Sequence, residues 1–175
     1  MLRKILTMPK TVLDEGSFAA EREDFSVTSE PREEIRGVFK RSLAIRLVTA
    51  GSTNACEQEL VALSNSYYDA ERFGIHFVAS PRHADALMVT GPVTRNMREA
   101  LLKTYEAMPA PKFVIAVGDD AIDGGLFKGS YAVLDGVSNV IPVDFEIPGD
   151  PPSPRQIIGA LLEILGKLNR KRSKT

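Results

Sequence analysis

One thiol and a scatter of carboxylates are the side chains with most chemistry to offer. Cys56 is the only cysteine in 175 residues, which excludes an internal disulfide and fits a reducing compartment. It opens a helical pattern with Glu57 and Glu59, where acidic residues complement the helix dipole. There the thiol reads in two ways: a small buried residue at a helix start, or a nucleophile whose pKa the helix N-terminus lowers. Asp119, Asp120 and Asp123 crowd a Gly/Asp loop, and Asp150 sits in a Pro-rich one. Such oxygen donors either hold magnesium or calcium or are simply solvated. His76 lies in an apolar run and reads as a core histidine. Arg82, His83 and Asp85 follow it on a polar loop, as a salt-bridged turn or a docking surface. Gly124, Gly125 and Gly129 serve turns, because the spacing of a phosphate-binding loop is missing. No Ser–His–Asp or other nucleophilic set is present.

The elements that position these residues follow from periodicity. Ala44–Ala50 reads as a strand, Gly51–Ala55 as a polar turn, and Cys56–Asn65 as a helix. Ile75–Ser80 and Ala86–Gly91 read as the second and third strands. Thr94 is placed to cap a helix through Met108, with Met97, Ala100, Leu101, Leu102 and Tyr105 as its apolar stripe. Pro109 and Pro111 end it, and Phe113–Val117 makes a fourth strand. The apolar run Val140–Val143 stands as the last strand before the final loop, and a final helix runs from about Ser153 to Leu168. Strands alternating with helices imply an α/β fold, with a mainly parallel sheet covered on both faces. In such sheets ligands bind beyond the carboxyl ends of the strands. The loops after Ala50, Val117 and Val143 therefore bring Thr53, Cys56, Asp120 and Asp150 to one rim.

Residues 1–41 are polar and weakly patterned, an irregular arm with a short candidate helix after Pro31 through Glu33, Glu34, Ile35, Val38 and Phe39. Residues 42–168 form the expected domain, and 169–175 a basic tail that suits a solvated helix end. A formal net charge of −1 argues against nucleic acid as a partner. No apolar run approaches the roughly 20 residues that span a bilayer. The segment MLRKILTMPK lacks the apolar centre of a signal peptide. A cytoplasmic protein is expected, attached to a membrane, if at all, through partner subunits.

Several ordered blocks carry a resemblance. They are Gly51-Ser52-Thr53-Asn54-Ala55-Cys56-Glu57, then Glu71-Arg72-Phe73-Gly74 running on through Ser80-Pro81-Arg82-His83-Ala84-Asp85. Val89-Thr90-Gly91-Pro92-Val93-Thr94, Gly118-Asp119-Asp120-Ala121, Ile141-Pro142-Val143-Asp144 and Pro148-Gly149-Asp150-Pro151-Pro152 complete the set. Together, over about Ser42 to Leu168, the chain resembles the small electron-transfer subunit shared by complex I and the membrane-bound, energy-converting nickel–iron hydrogenases, including formate hydrogenlyase. The resemblance implies a flavodoxin-like domain docked on a large catalytic subunit, with ferredoxin-like and membrane subunits nearby, peripheral on the inner membrane face. It also implies a 4Fe–4S cluster. The family's cysteine positions fall here on Thr53, Cys56, Asp120 and Asp150, of which Cys56 alone is a cysteine. By the same resemblance, Glu57 and Glu59 lie where acidic residues assist proton movement, with Arg82, His83 and Asp85 as further interface or proton-path candidates.

Iron in a sulfide cluster prefers soft, anionic thiolates. Threonine would have to bind as an alkoxide, and two carboxylates are hard donors. The expectation is therefore a cluster-free subunit with a structural and coupling role. The rivals are an electron-relay subunit with an atypically ligated cluster and a stand-alone α/β binding protein.

Overall fold

A computed structural model describes residues 42–51 and 53–169. The arm, the candidate helix after Pro31 and the basic residues beyond Asn169 lie outside the described residues. Five strands form one all-parallel sheet in the order β2-β1-β3-β4-β5. They are β1 (Leu43–Thr49), β2 (Ile75–Phe77), β3 (Ala86–Thr90), β4 (Phe113–Val117) and β5 (Phe145–Ile147). The helices are α1 (Ala55–Ala62), α2 (Arg98–Ala107), α3 (Asp119–Asp123) and α4 (Pro154–Asn169). This is the flavodoxin-like order, with the crossover direction reversing between β1 and β3.

The central strands β3 and β4 are buried at every position, so they read as unbroken apolar runs rather than alternating ones. Side-chain alternation then divides the core in two. Leu43, Ile45, Met88, Phe113, Ile115 and Phe145 face α4, which brings Ile157, Ile158, Leu161, Ile164 and Leu168, each fully buried. Val48, Leu87, Val89, Val114 and Ala116 face the other way, against Leu101 of α2, Ala121 of α3, and Val137 and Ile141. Phe113 and Phe145 meet edge to face, with centroids 5.6 Å apart. That geometry suits the aromatic quadrupoles.

Three expected elements shift. The last strand is Phe145–Ile147, not Val140–Val143; Val140 and Val143 instead pack half-buried against the α2-side core. Glu146 interrupts the apolar signal of the true strand. β2 stops at Phe77 rather than Ser80, because Ser80 accepts a hydrogen bond from Arg82 N–H and starts the turn Pro81–His83. Thr94 does not cap α2 directly. Its Oγ1 accepts from Met97 N–H at 3.3 Å, and the helix begins one residue later, at Arg98. Of the expected stripe, Leu101 is buried and Leu102 and Tyr105 are half-buried, while Ala100 is exposed.

The amino ends of the strands are pinned by two aspartates. Asp85 accepts from Ala44 N–H at 3.0 Å, and Asp144 accepts from Val114 N–H at 2.9 Å. Each also donates its own N–H to the carbonyl of the residue whose amide it holds. Leaving a buried amide without an acceptor costs about 1–3 kcal/mol. Asp85→Ala is therefore expected to lower unfolding stability by about that amount in a urea titration, with the iron content of any assembled complex unchanged.

Candidate functional site

The carboxyl ends of β1, β4 and β5 feed three loops that meet around Gly118. Its φ is +87°, and a β-carbon there would lie 2.5 Å from Cys56 Sγ and 3.4 Å from the Gly149 carbonyl oxygen. Glycine is thus required both by the backbone and by the close approach. Gly118 N–H donates to Ile147 C=O, and Asp119 N–H donates to Gly149 C=O at 3.0 Å. Asp119 Oδ1 accepts in return from Gly149 N–H at 2.8 Å. These bonds tie the Asp120 loop to the Asp150 loop.

The β1 loop enters through Asn54, whose left-handed backbone (φ +74°) precedes α1; asparagine tolerates this conformation better than most residues. Cys56 is 7% exposed and Thr53 is exposed on the loop itself. Glu57 is buried in the first turn of α1 and accepts a hydrogen bond from the hydroxyl of Thr90, which is fully buried at the end of β3. That bond anchors α1 to the sheet. Glu59 is half-buried two residues along.

Electrostatics at the rim oppose a thiolate. Burial, followed by the negative charges of Glu57, Asp120, Asp150 and Asp119, pushes the Cys56 thiol up to about 11. This overturns the activated-nucleophile reading: the helix N-terminus is outweighed by desolvation and by the carboxylates around it. Burial, then the neighbouring Asp150, also raises the Asp120 carboxyl above its ordinary range, against the lowering effect of a hydrogen bond from Leu126 N–H.

The acidic loop spends its oxygens on its own backbone. Asp123 accepts from Gly125 N–H and Lys128 Nζ, both at 2.9 Å, which holds its carboxyl below the usual range. Asp119 is engaged with Gly149, as above. Among the described residues, no group of three or more His, Cys, Asp or Glu side chains is arranged to hold a metal ion. The magnesium or calcium reading of Asp119, Asp120, Asp123 and Asp150 therefore gains no geometric support. A cleft of about 520 Å³ does open beside this loop, lined by Asp119, Ile122, Asp123, Gly125, Glu146 and Pro148, without Cys56.

The residues at the four positions do not fit a 4Fe–4S cluster. One, Cys56, offers sulfur. The others are an exposed threonine and two carboxylates, hard donors where the cluster's iron takes soft ones. Arg82, His83 and Asp85 are not brought to this rim. They precede β3 at the amino edge, and the five residues from Asp85 to Thr90 place that edge about 16 Å away, at about 3.3 Å per residue. Asp85 is a strand anchor there, while Arg82 and His83 are exposed on the turn. His76 is half-buried in β2.

The sequence reading missed Thr90 and Gly118 as shapers of the site. Thr90, a hydroxyl ending an all-apolar strand, was the available signal; Gly118 carried none beyond ending β4. The Cys56 proton gives a direct test. An unfolded thiol titrates near 9.0 and the folded one near 11. The folded state therefore binds the extra proton between those values, and this contribution to stability is present below pH 9 and lost as pH rises toward 11. Asp150→Asn and Asp120→Asn should each lower the Cys56 midpoint, read from ultraviolet thiolate absorbance during a pH titration of the folded chain.

Comparison with known proteins places this geometry. The family model described as NADH ubiquinone oxidoreductase, 20 Kd subunit, matches residues 54–164. Formate hydrogenlyase subunit 7 of Escherichia coli is 43% identical over 133 residues, covering 76% of this chain and 52% of that one, so the chain spans about half of that subunit. A probable membrane-bound hydrogenase subunit of Pyrococcus furiosus is 45% identical over 121 residues, 69% of this chain and 72% of that one. Among solved structures, a chain of the membrane-bound sulfane sulfur reductase, an archaeal respiratory membrane complex, superposes with a TM-score of 0.66 at 32% identity, over 77% of this chain and 75% of that one. Among the described residues, no helix is long and apolar enough to cross a membrane. The chain belongs to the family of the 20 kDa subunit of NADH:ubiquinone oxidoreductase, together with its membrane-bound hydrogenase relatives.

Proposed function

We propose that this chain takes the small-subunit place in a membrane-associated complex related to complex I and the energy-converting hydrogenases, and does so without a cluster of its own. The observation that carries this reading is the Gly118 junction. The three loops meet around a single buried thiol, with oxygen side chains at the other three positions. The scaffold for holding the loops persists while the ligand chemistry does not.

The role that follows is structural. The chain holds a hydrogenase-like or complex I-like large subunit against the membrane arm, from the cytoplasmic face, and transmits conformational change between them. Ferredoxin-like subunits complete the assembly. The membrane-bound and respiratory complexes to which its relatives belong support such a setting. Electron transfer through this chain is interrupted, since a missing relay leaves a gap too long for a direct step. Glu57 serves as the anchor of α1, and its buried bond to Thr90 supports that role over proton carriage.

The test is iron and acid-labile sulfide analysis of the natively purified complex, with electron paramagnetic resonance of wild type and Cys56→Ala. All iron and sulfide should be accounted for by cysteine sets on the partner subunits, and Cys56→Ala should leave every signal in place. A cluster signal that disappears in Cys56→Ala would instead establish an atypically ligated relay. Purification of the chain without any partner would favour the stand-alone reading.

A further inference from the structure

β1 outlasts its neighbour. The last ladder bond from the β2 side is Val78 N–H to Ile45 C=O, at 2.8 Å, and the chain then leaves for the Pro81–His83 turn. Alternate residues of a parallel strand bond to the same neighbour. Ala44 and Ala50 bond toward β3, through Asp85 N–H to Ala44 C=O and Ala50 N–H to Thr90 C=O. The backbone groups of Leu47 and Thr49 therefore point to the side that β2 has vacated. Among the described residues, no further backbone bond extends that ladder.

The vacated slot is a cleft of about 350 Å³, walled by Arg46 and Leu47, by Leu60 and Val61 of α1, and by Phe77 and Val78. Val61 is 66% exposed. The slot is mostly apolar, with Ser64 and one charge among its walls. Arg46 stands inside an otherwise apolar strand, and its Nε is the one buried side-chain nitrogen or oxygen, among the described residues, with no hydrogen-bond partner. A buried donor of this kind calls for an acceptor.

We infer that this slot receives an extended segment of a partner subunit, which adds a short strand beside Leu47 and Thr49 and presents a carboxylate to Arg46. Three features select that occupant. Directional strand-edge amides match a peptide backbone, which gains main-chain bonds by strand addition. The guanidinium matches a carboxylate, with which it makes its strongest paired hydrogen bonds. The open edge, Leu47–Thr49, is short, which suits a segment rather than the full sheet edge of a second copy. An aliphatic side chain of the segment lies against Val61 and Phe77. This inference rests on the subunit reading above, because a stand-alone protein would have no such segment to meet.

The experiment is photo-crosslinking within the natively purified complex, with p-benzoylphenylalanine in place of Val61 and, as a control, in place of Lys103 on the exposed face of α2. Mass spectrometry of the crosslinked peptides identifies the occupant. The expected product joins position 61 to a segment of another subunit that carries Asp or Glu within a few residues, and is absent from position 103. Arg46→Glu should reduce its yield at least five-fold, while Arg46→Lys retains most of it. If partners co-purify but position 61 couples to residues 1–41 of the same chain, to a second copy or to lipid, the slot inference is overturned and the subunit reading stands. The same holds if nothing couples or if Arg46→Glu changes nothing. A chain that purifies with no partner at all overturns both.

Discussion

With φ at +87° and the sulfur of Cys56 lying where a β-carbon would have to be, position 118 admits only a residue without a side chain, and the rim is organised around that restriction. Because Gly118 is bare, the start of α1 can press against the turn after β4. That turn can in turn exchange hydrogen bonds with the loop after β5. A β-carbon at 118 would meet Cys56 Sγ at 2.5 Å, so one of the two would have to shift. The junction is steric first and electrostatic second: contact fixes where the thiol sits, and burial, reinforced by the carboxylates around it, raises its pKa.

The carboxylates have separable duties. Asp119 and Asp123 are consumed in building their own loop, and Asp85 and Asp144 in closing the amino ends of strands. Asp120 and Asp150 remain as the pair whose mutual repulsion is felt by the thiol beneath. This division explains why a loop so rich in acid does not assemble into a cation cage. Asp119 and Asp123 already answer backbone amides, and an amide offers no reason to gather them around one point.

Much of this was legible along the chain. β4 was placed at its observed ends because prolines stand before it and a glycine after it. The rim was predicted from the rule that parallel strands present their carboxyl ends to ligands, and Cys56, Asp120 and Asp150 do share that rim. β5 escapes a reading by apolar runs because Glu146 breaks its run, while Val140–Val143 mimics one outside the sheet. β2 was drawn too long because Val78 and Ala79 stay apolar after their ladder has ended. Arg82, His83 and Asp85 could have been assigned to the opposite edge from their position ahead of β3. The Thr90–Glu57 bond and the vacancy at Gly118 are pairings between distant segments, and no local pattern encodes them.

The helix α4 has a consequence for how the chain is made. Its residues come last among those described, yet Ile157, Ile158, Leu161, Ile164 and Leu168 cover much of one face of the sheet, beside Leu60 of α1 and Leu63 just after it. On the ribosome, all five strands emerge before their cover exists. Leu43, Ile45, Phe113, Ile115 and Phe145 must then wait in water or against a chaperone until α4 has followed them. Domains whose non-local contacts close late expose sticky intermediates. The interval between the synthesis of β5 and the release of α4 is therefore the point in this protein's life when it is most open to aggregation, and when early capture by an assembly partner would protect it most.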